Sequence, residues 1–138
     1  MKRATIEAIS PFFIVSNVSQ AITFYREKLG FEAMFQEPET DPFFAIVRRD
    51  KVMVFLKYHG DIPPLPNCQR HPWMSWDDYV LVPDPDALAA EFANNNVEFY
   101  KPLMNNSDGL CGFEISDRDG YVLFFGRPGE THLTGRRE

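Results

Sequence analysis

A chain of 138 residues and 16.0 kDa forms one domain, or two half-domains around a shared core. At that size it buries roughly two thirds of its unfolded surface and needs no disulfide or metal to fold. A formal net charge of −6 argues against non-specific binding of nucleic acid or anionic membrane and favours neutral or cationic partners. Cys68 and Cys111, with no secretory signal and no apolar run near the roughly 20 residues of a membrane span, read as free thiols of a cytoplasmic protein.

Residues 6–15 read as the first strand, since Phe12, Phe13, Ile14 and Val15 are aromatic or β-branched. Asn17, with Gln20 three residues on, opens a helix over 18–29. Its apolar face is Val18, Ala21, Ile22, Tyr25 and Leu29, and Gly30 takes the left-handed place that ends it. A strand over 31–35, an acidic turn over 37–42 and a hairpin of 43–48 with 52–57 follow. The stretch 59–76 holds four prolines and no periodicity, which marks a long functional loop or linker.

The pattern then restarts. Residues 78–82 read as a strand, and Asp84 caps a helix that begins at Pro85 and shows Leu88 and Phe92 on its apolar face. Asn96 stands where Gly30 stood. A strand over 97–100, a polar turn over 102–110 and a hairpin of 112–116 with 121–125 complete the second half, and Gly109 and Gly112 flank Leu110 and Cys111 as turn glycines. Residues 21–31 align with 87–97 without gaps, and VMVF at 52–55 aligns with VLFF at 122–125. Halves this small cannot bury helix and sheet alone, so they must pair. The expected fold is α+β: two tandem βαβββ modules around a curved mixed β-sheet, with helices on its outer face. One domain spans 1–138, with module 1 at about 6–58, a linker at about 59–76, module 2 at about 77–127 and a polar tail over 128–138.

Three stretches, VSNVSQAITFYREKLGF, WDDYVLVPDPDALAAEF and FEISDRDGYVLFFGRP, resemble the vicinal oxygen chelate superfamily, which includes glyoxalase I, extradiol dioxygenases and bleomycin resistance proteins. The pattern is most similar to the bleomycin resistance-like members. In the metal enzymes of that superfamily, ligands come from the start of a module's first strand and from its last strand. The resemblance carries those places onto Ser10, Val54, Asp77 and Phe124. Only Asp77 suits a hard cation, and one carboxylate makes no site. The resemblance therefore implies a member without a metal or other cofactor, and a homodimer with grooves formed between subunits.

The remaining residues point the same way. His59, His71 and His132 lack metal-ligand spacing, and neither cysteine sits in a CxxC motif. No nucleophile–base arrangement or phosphate loop is present, so no catalytic residue is assigned. The aromatics, with 13 Phe, five Tyr and two Trp, exceed what one core requires. Strand alternation sets Ser10, Phe12 and Ile14 on one face, and Asp77, Tyr79 and Leu81 on the matching face. Phe55, Phe113 and Phe125 face either a cavity or the helices. Trp73 and Trp76 either plug the module junction or wall a planar ligand beside Asp77. The candidate ligand-binding set is Phe12, Phe55, Trp73, Trp76, Asp77, Tyr79, Phe113 and Phe124. The expected function is metal-free sequestration of a planar, cationic or neutral small molecule. The alternative is a lyase, isomerase or dioxygenase whose metal is held by non-standard ligands such as Asp77 with His71 or Glu114.

Overall fold

The computed structural model describes residues 2–129. The first half contains β1 (Phe12–Ile14), α1 (Val18–Leu29), β2 (Glu32–Glu37), β3 (Phe44–Arg49) and β4 (Val52–Lys57). The second contains β5 (Asp78–Leu81), α2 (Pro85–Asn94), β6 (Phe99–Asn105), β7 (Leu110–Ser116) and β8 (Val122–Pro128), and a 3-10 turn at Asn67–Gln69 lies between the halves. This is an α+β fold of two βαβββ modules. Each module has a four-stranded mixed sheet, ordered β1-β4-β3-β2 or β5-β8-β7-β6, whose first strand runs parallel to its last. Among the described residues no helix is long and apolar enough to cross a membrane.

The helices start and stop as their caps dictate. Asn17 Oδ1 accepts from the Gln20 N–H at 2.8 Å, and Asp84 Oδ1 from the Ala87 N–H at 3.1 Å. Gly30 has φ 77° and Asn96 φ 63°, the left-handed stops expected of both residue types. Tyr25 and Phe92 hold the same place after their caps, and both are wholly buried. Beyond them the repeat is not gapless. Phe31 N–H reaches back to the Tyr25 carbonyl, whereas Val97 N–H reaches the Phe92 carbonyl, so the second helix closes one residue sooner.

The strands correct several expected bounds. β1 begins at Phe12 rather than at residue 6, and Pro11 before it has no N–H to give a neighbouring strand. β6 runs on to Asn105 through the segment expected to turn. It is an outer strand with a register shift between Lys101 and Met104, and an edge of that kind tolerates Pro102. β7 starts at Leu110, which makes Gly112 a strand residue rather than a turn glycine. β8 continues to Pro128, and His132 with residues 130–138 of the expected tail lies outside the described residues.

Register fixes which side chains match. Phe12 pairs with Phe55, and Tyr79 with Phe124, so Phe55 is the counterpart of Phe124. The alignment of 52–55 with 122–125 is therefore one residue out. Val54 and Leu123 are the matching core residues, and neither is exposed. Gly112 and Gly126 face each other across β7 and β8. A Cβ on Gly112 would strike the Phe125 carbonyl and come within 2.6 Å of Phe124 Cζ, and a Cβ on Gly126 within 2.6 Å of Phe124 Cε2. The absent side chains leave the floor on which the Phe124 ring lies.

One apolar cluster runs through both modules, from Phe13, Tyr25, Leu29 and Leu56 to Phe92, Phe113 and Phe125. At one junction Phe13 stacks on Tyr121 at 4.3 Å, and the Tyr121 hydroxyl donates to the Ile14 carbonyl at 2.6 Å. The Tyr25 hydroxyl donates to buried Asp117 Oδ2 at 2.9 Å, and the N–H groups of Asp119 and Tyr121 donate to Asp117 Oδ1. At the other junction Arg49 forks onto Glu91 at 2.8 and 2.9 Å and also donates to the Leu29 carbonyl.

Burial raises the Asp117 carboxyl to about 6, despite the opposing effect of its three donors. A folded-state value above the roughly 3.9 of an unfolded Asp means that the neutral form is the one the fold favours. The cost of ionisation is absent below about pH 4, grows as pH rises, and is complete above about pH 6. Asp117→Asn should therefore gain on the wild type by roughly 1–3 kcal/mol between pH 4 and pH 7 in paired denaturation curves. A constant difference across that range would show that Asp117 titrates normally. Gly112→Ala should cost about 1–3 kcal/mol by overpacking against Phe124 and the Phe125 carbonyl. A thermal midpoint equal to wild type would contradict the close packing of that floor.

Candidate functional site

Each sheet presents one face to its helix and leaves the other open. On the open face of the first sheet, Phe12, Phe44 and Phe55 lie within 5.5–6.0 Å of one another across β1, β3 and β4. Phe35 on β2 joins Phe44 at 6.0 Å. Phe12 and Phe35 are 56% and 50% exposed, so this face is apolar and uncovered.

On the second sheet the matching positions hold a tighter group. Trp76 stacks on Phe124 at 4.5 Å with 24° between the planes, and Tyr79 stacks on Phe124 at 5.3 Å. A cleft of about 530 Å³ opens beside them, bordered by Trp73, Trp76, Tyr100, Lys101, Glu114 and Phe124. All of its lining comes from the second half of the chain. Trp73 stands at the rim and is 70% exposed.

The structure brings Trp76, Tyr79 and Phe124 together, with Trp73 nearby, and puts Phe12 and Phe55 on the separate first-sheet face. Phe113 departs from the expected set. Its backbone belongs to a cleft strand, but its ring is 1% exposed and meets Phe92 edge-on at 5.7 Å, so it is core. Phe125 is core for the same reason, 5.2 Å from Phe92. Strand alternation sends odd and even positions of β7 and β8 to opposite faces, and α2 covers the face that carries these two rings.

Asp77 spends both carboxylate oxygens on backbone. Oδ1 accepts from the Asn67 N–H and Oδ2 from the Val122 N–H, each at 2.9 Å. It fastens the linker to the start of β8. Asp78 lies toward the core, and burial raises its carboxyl to about 6. The carboxylate that does face the cleft is Glu114, which the sequence places opposite Phe124 only once the β7–β8 register is known. It is 8% exposed, and its Oε2 accepts from the Trp76 indole N–H at 2.8 Å. Glu114 enters the sequence reading as an alternative metal ligand, and Gly112 and Gly126 enter it in no site role. Two glycines placed to face each other across a predicted hairpin were the available signal.

The donor set does not suit the metal that the resemblance implies for the enzymes of that superfamily. Of the places that the resemblance points to, Phe124 is a ring that offers no lone pair, and Asp77 has both oxygens on backbone N–H groups. Val54, the place expected from sequence, points into the core, and Ser10 precedes the sheet. Among the described residues no three His, Cys, Asp or Glu side chains gather as a metal-binding group. Cys68 and Cys111 are unpaired thiols, each half-buried.

The architecture has close structural relatives. TioX from Micromonospora sp. ML1 superposes with a TM-score of 0.68 at 17% identity, over 87% of this chain and 97% of that one. The bleomycin-binding protein of Streptomyces verticillus, solved with copper(II)-bleomycin, gives 0.66 at 23% identity, over 93% and 100%. TnmS3, an antibiotic binding protein from Streptomyces sp. CB03234, gives 0.63 at 21% identity, over 94% and 99%. No curated protein matches the sequence. Residues 6–125 match the family of these folds in sequence, and the chain belongs to the glyoxalase/bleomycin resistance protein/dioxygenase superfamily.

Proposed function

We propose that this protein is a metal-free binding protein that sequesters a planar small molecule in the aromatic cleft of the second module. The observation that carries the reading is the Trp76–Phe124–Tyr79 stack, which stands on the strands that would supply metal donors. Phe124 is buried beneath Trp76 and Tyr79, and those two partly exposed rings bind flat ligands by stacking and apolar burial. Two relatives of the same fold are named for binding bleomycin or an antibiotic, which supports a ligand of that size and class.

The exposed first-module face supports a homodimer. Its phenyl rings have no polar tip, and an uncovered apolar face of this kind marks an interface. We place the Phe12–Phe35–Phe44–Phe55 face of one copy over the second-module cleft of another, so that the groove is completed between subunits.

Tryptophan fluorescence quenching should report saturable binding of planar probes, with copper-free bleomycin among them. Trp76→Ala should weaken that binding by roughly 2- to 12-fold, the worth of one aromatic pair. Unchanged affinity in the variant would remove the stacking wall. In sedimentation equilibrium the protein should run at twice its 16.0 kDa chain mass at micromolar concentration. Phe12→Asp should shift it to monomer and weaken ligand binding together, and a wild-type monomer would exclude a groove shared between copies. Elemental analysis of protein purified without chelator should find no stoichiometric metal. About one equivalent per chain would favour the lyase, isomerase or dioxygenase alternative.

A further inference from the structure

Glu114 combines burial, charge and an unused oxygen at the base of the cleft. It pairs in register with Phe124, so it shares the open face of the second sheet. Oε2 is held by the Trp76 indole N–H at 2.8 Å, and the side chain is 8% exposed. Oε1 has no hydrogen-bond partner among the described residues. Unlike Asp119 Oδ2, it is not sealed from solvent, and the opening it has is the cleft.

Of the other charged groups at the cleft, none among the described residues is ion-paired with it. Lys101 lies opposite Glu114 on β6, but the ion pairs among the described residues are Arg26–Glu27, Arg49–Asp50 and Arg49–Glu91. Asp108 stands on the rim and adds to the negative charge. Asp77, the carboxylate that the sequence singles out, has both oxygens occupied by backbone N–H groups.

A carboxylate this buried, with one neutral N–H donor, is short of the partners that it would have in water. We propose that Glu114 makes the cleft selective for planar cations that carry an N–H donor. The ring system lies against Trp76, which rests on the buried Phe124, while the cationic N–H donates to Glu114 Oε1. The proposal rests on the reading of the cleft as a binding site and adds the charge class of its ligand. Because Glu114 also orients the Trp76 indole over Phe124, the two halves of recognition, stacking and charge, are set by one side chain. An anion of the same shape would meet Glu114 and Asp108 and be rejected.

The test is a matched series of one ring system in three charge states: 9-aminoacridinium, neutral acridine and acridine-9-carboxylate. Affinities for the full-length protein are measured by equilibrium dialysis at mildly alkaline pH. The wild type should bind the cation at least about tenfold more tightly than the neutral ring, and the anion least. Glu114→Gln keeps an acceptor for the indole and the side-chain shape but removes the charge. It should lose the preference for the cation, binding it no more tightly than neutral acridine. If the wild type binds cation and neutral ring equally, or Glu114→Gln keeps the preference, Glu114 is not the selecting residue, although the aromatic cleft stands. If none of the three binds, the charge assignment falls together with the aromatic cleft. The wild-type series alone decides the charge order, so a Glu114→Gln protein that fails to fold does not rescue the proposal.

Discussion

Asp117 is 5% exposed and accepts a hydrogen bond from the opposite module. A lone carboxylate at that depth would be costly, and three donors satisfy it. Two come from the backbone of its own turn, so the Asp117–Gly120 corner is closed by contacts within its own module. The third, the Tyr25 hydroxyl, reaches the carboxylate only when α1 lies against that corner. The same approach stacks Phe13 on Tyr121 and delivers the Tyr121 hydroxyl to Ile14. The docking of one half on the other is thus specified by polar geometry, while the shared apolar cluster supplies most of the driving force.

The orientation of both sheets follows from that docking. With their helix-bearing faces committed to one core, the sheets turn their other faces outward, and each carries aromatic rings there. The second module stabilises its rings from beneath. Gly112 and Gly126 let Phe124 lie down on the sheet, and Phe124 then supports Trp76 and Tyr79. The linker contributes as well. Asn67 binds Asp77 through its own N–H and donates through its side chain to the Trp76 carbonyl, which holds the tryptophan at the start of β5.

Much of this was legible in the sequence because it is local. Caps at Asn17 and Asp84, left-handed stops at Gly30 and Asn96 and the restarting strand–helix pattern are short-range signals, and they give the two modules. What was not legible depends on pairing. Whether Val54 or Phe55 matches Phe124 is a question of one residue of register, and a one-residue slip turns a core valine into a groove residue. Phe113 and Glu114 are neighbours on β7 with opposite fates, which only the position of α2 decides. Asp77 looked like a ligand because it is acidic beside two tryptophans, yet its partners, Asn67 and Val122, come from distant segments.

The two open faces have also diverged in chemistry. The first offers Phe12, Phe35, Phe44 and Phe55, rings with no hydrogen-bonding group. Such a surface gains most from being covered and has little with which to choose among ligands of similar shape. The second offers a phenol and a buried carboxylate that already holds the Trp76 indole N–H. Polar groups set in an apolar wall discriminate strongly, because a ligand that fails to pair with them leaves them unsatisfied. A groove assembled from one face of each kind would have a cover and a reader. On the proposed reading, that division would place selectivity in the second half of the chain.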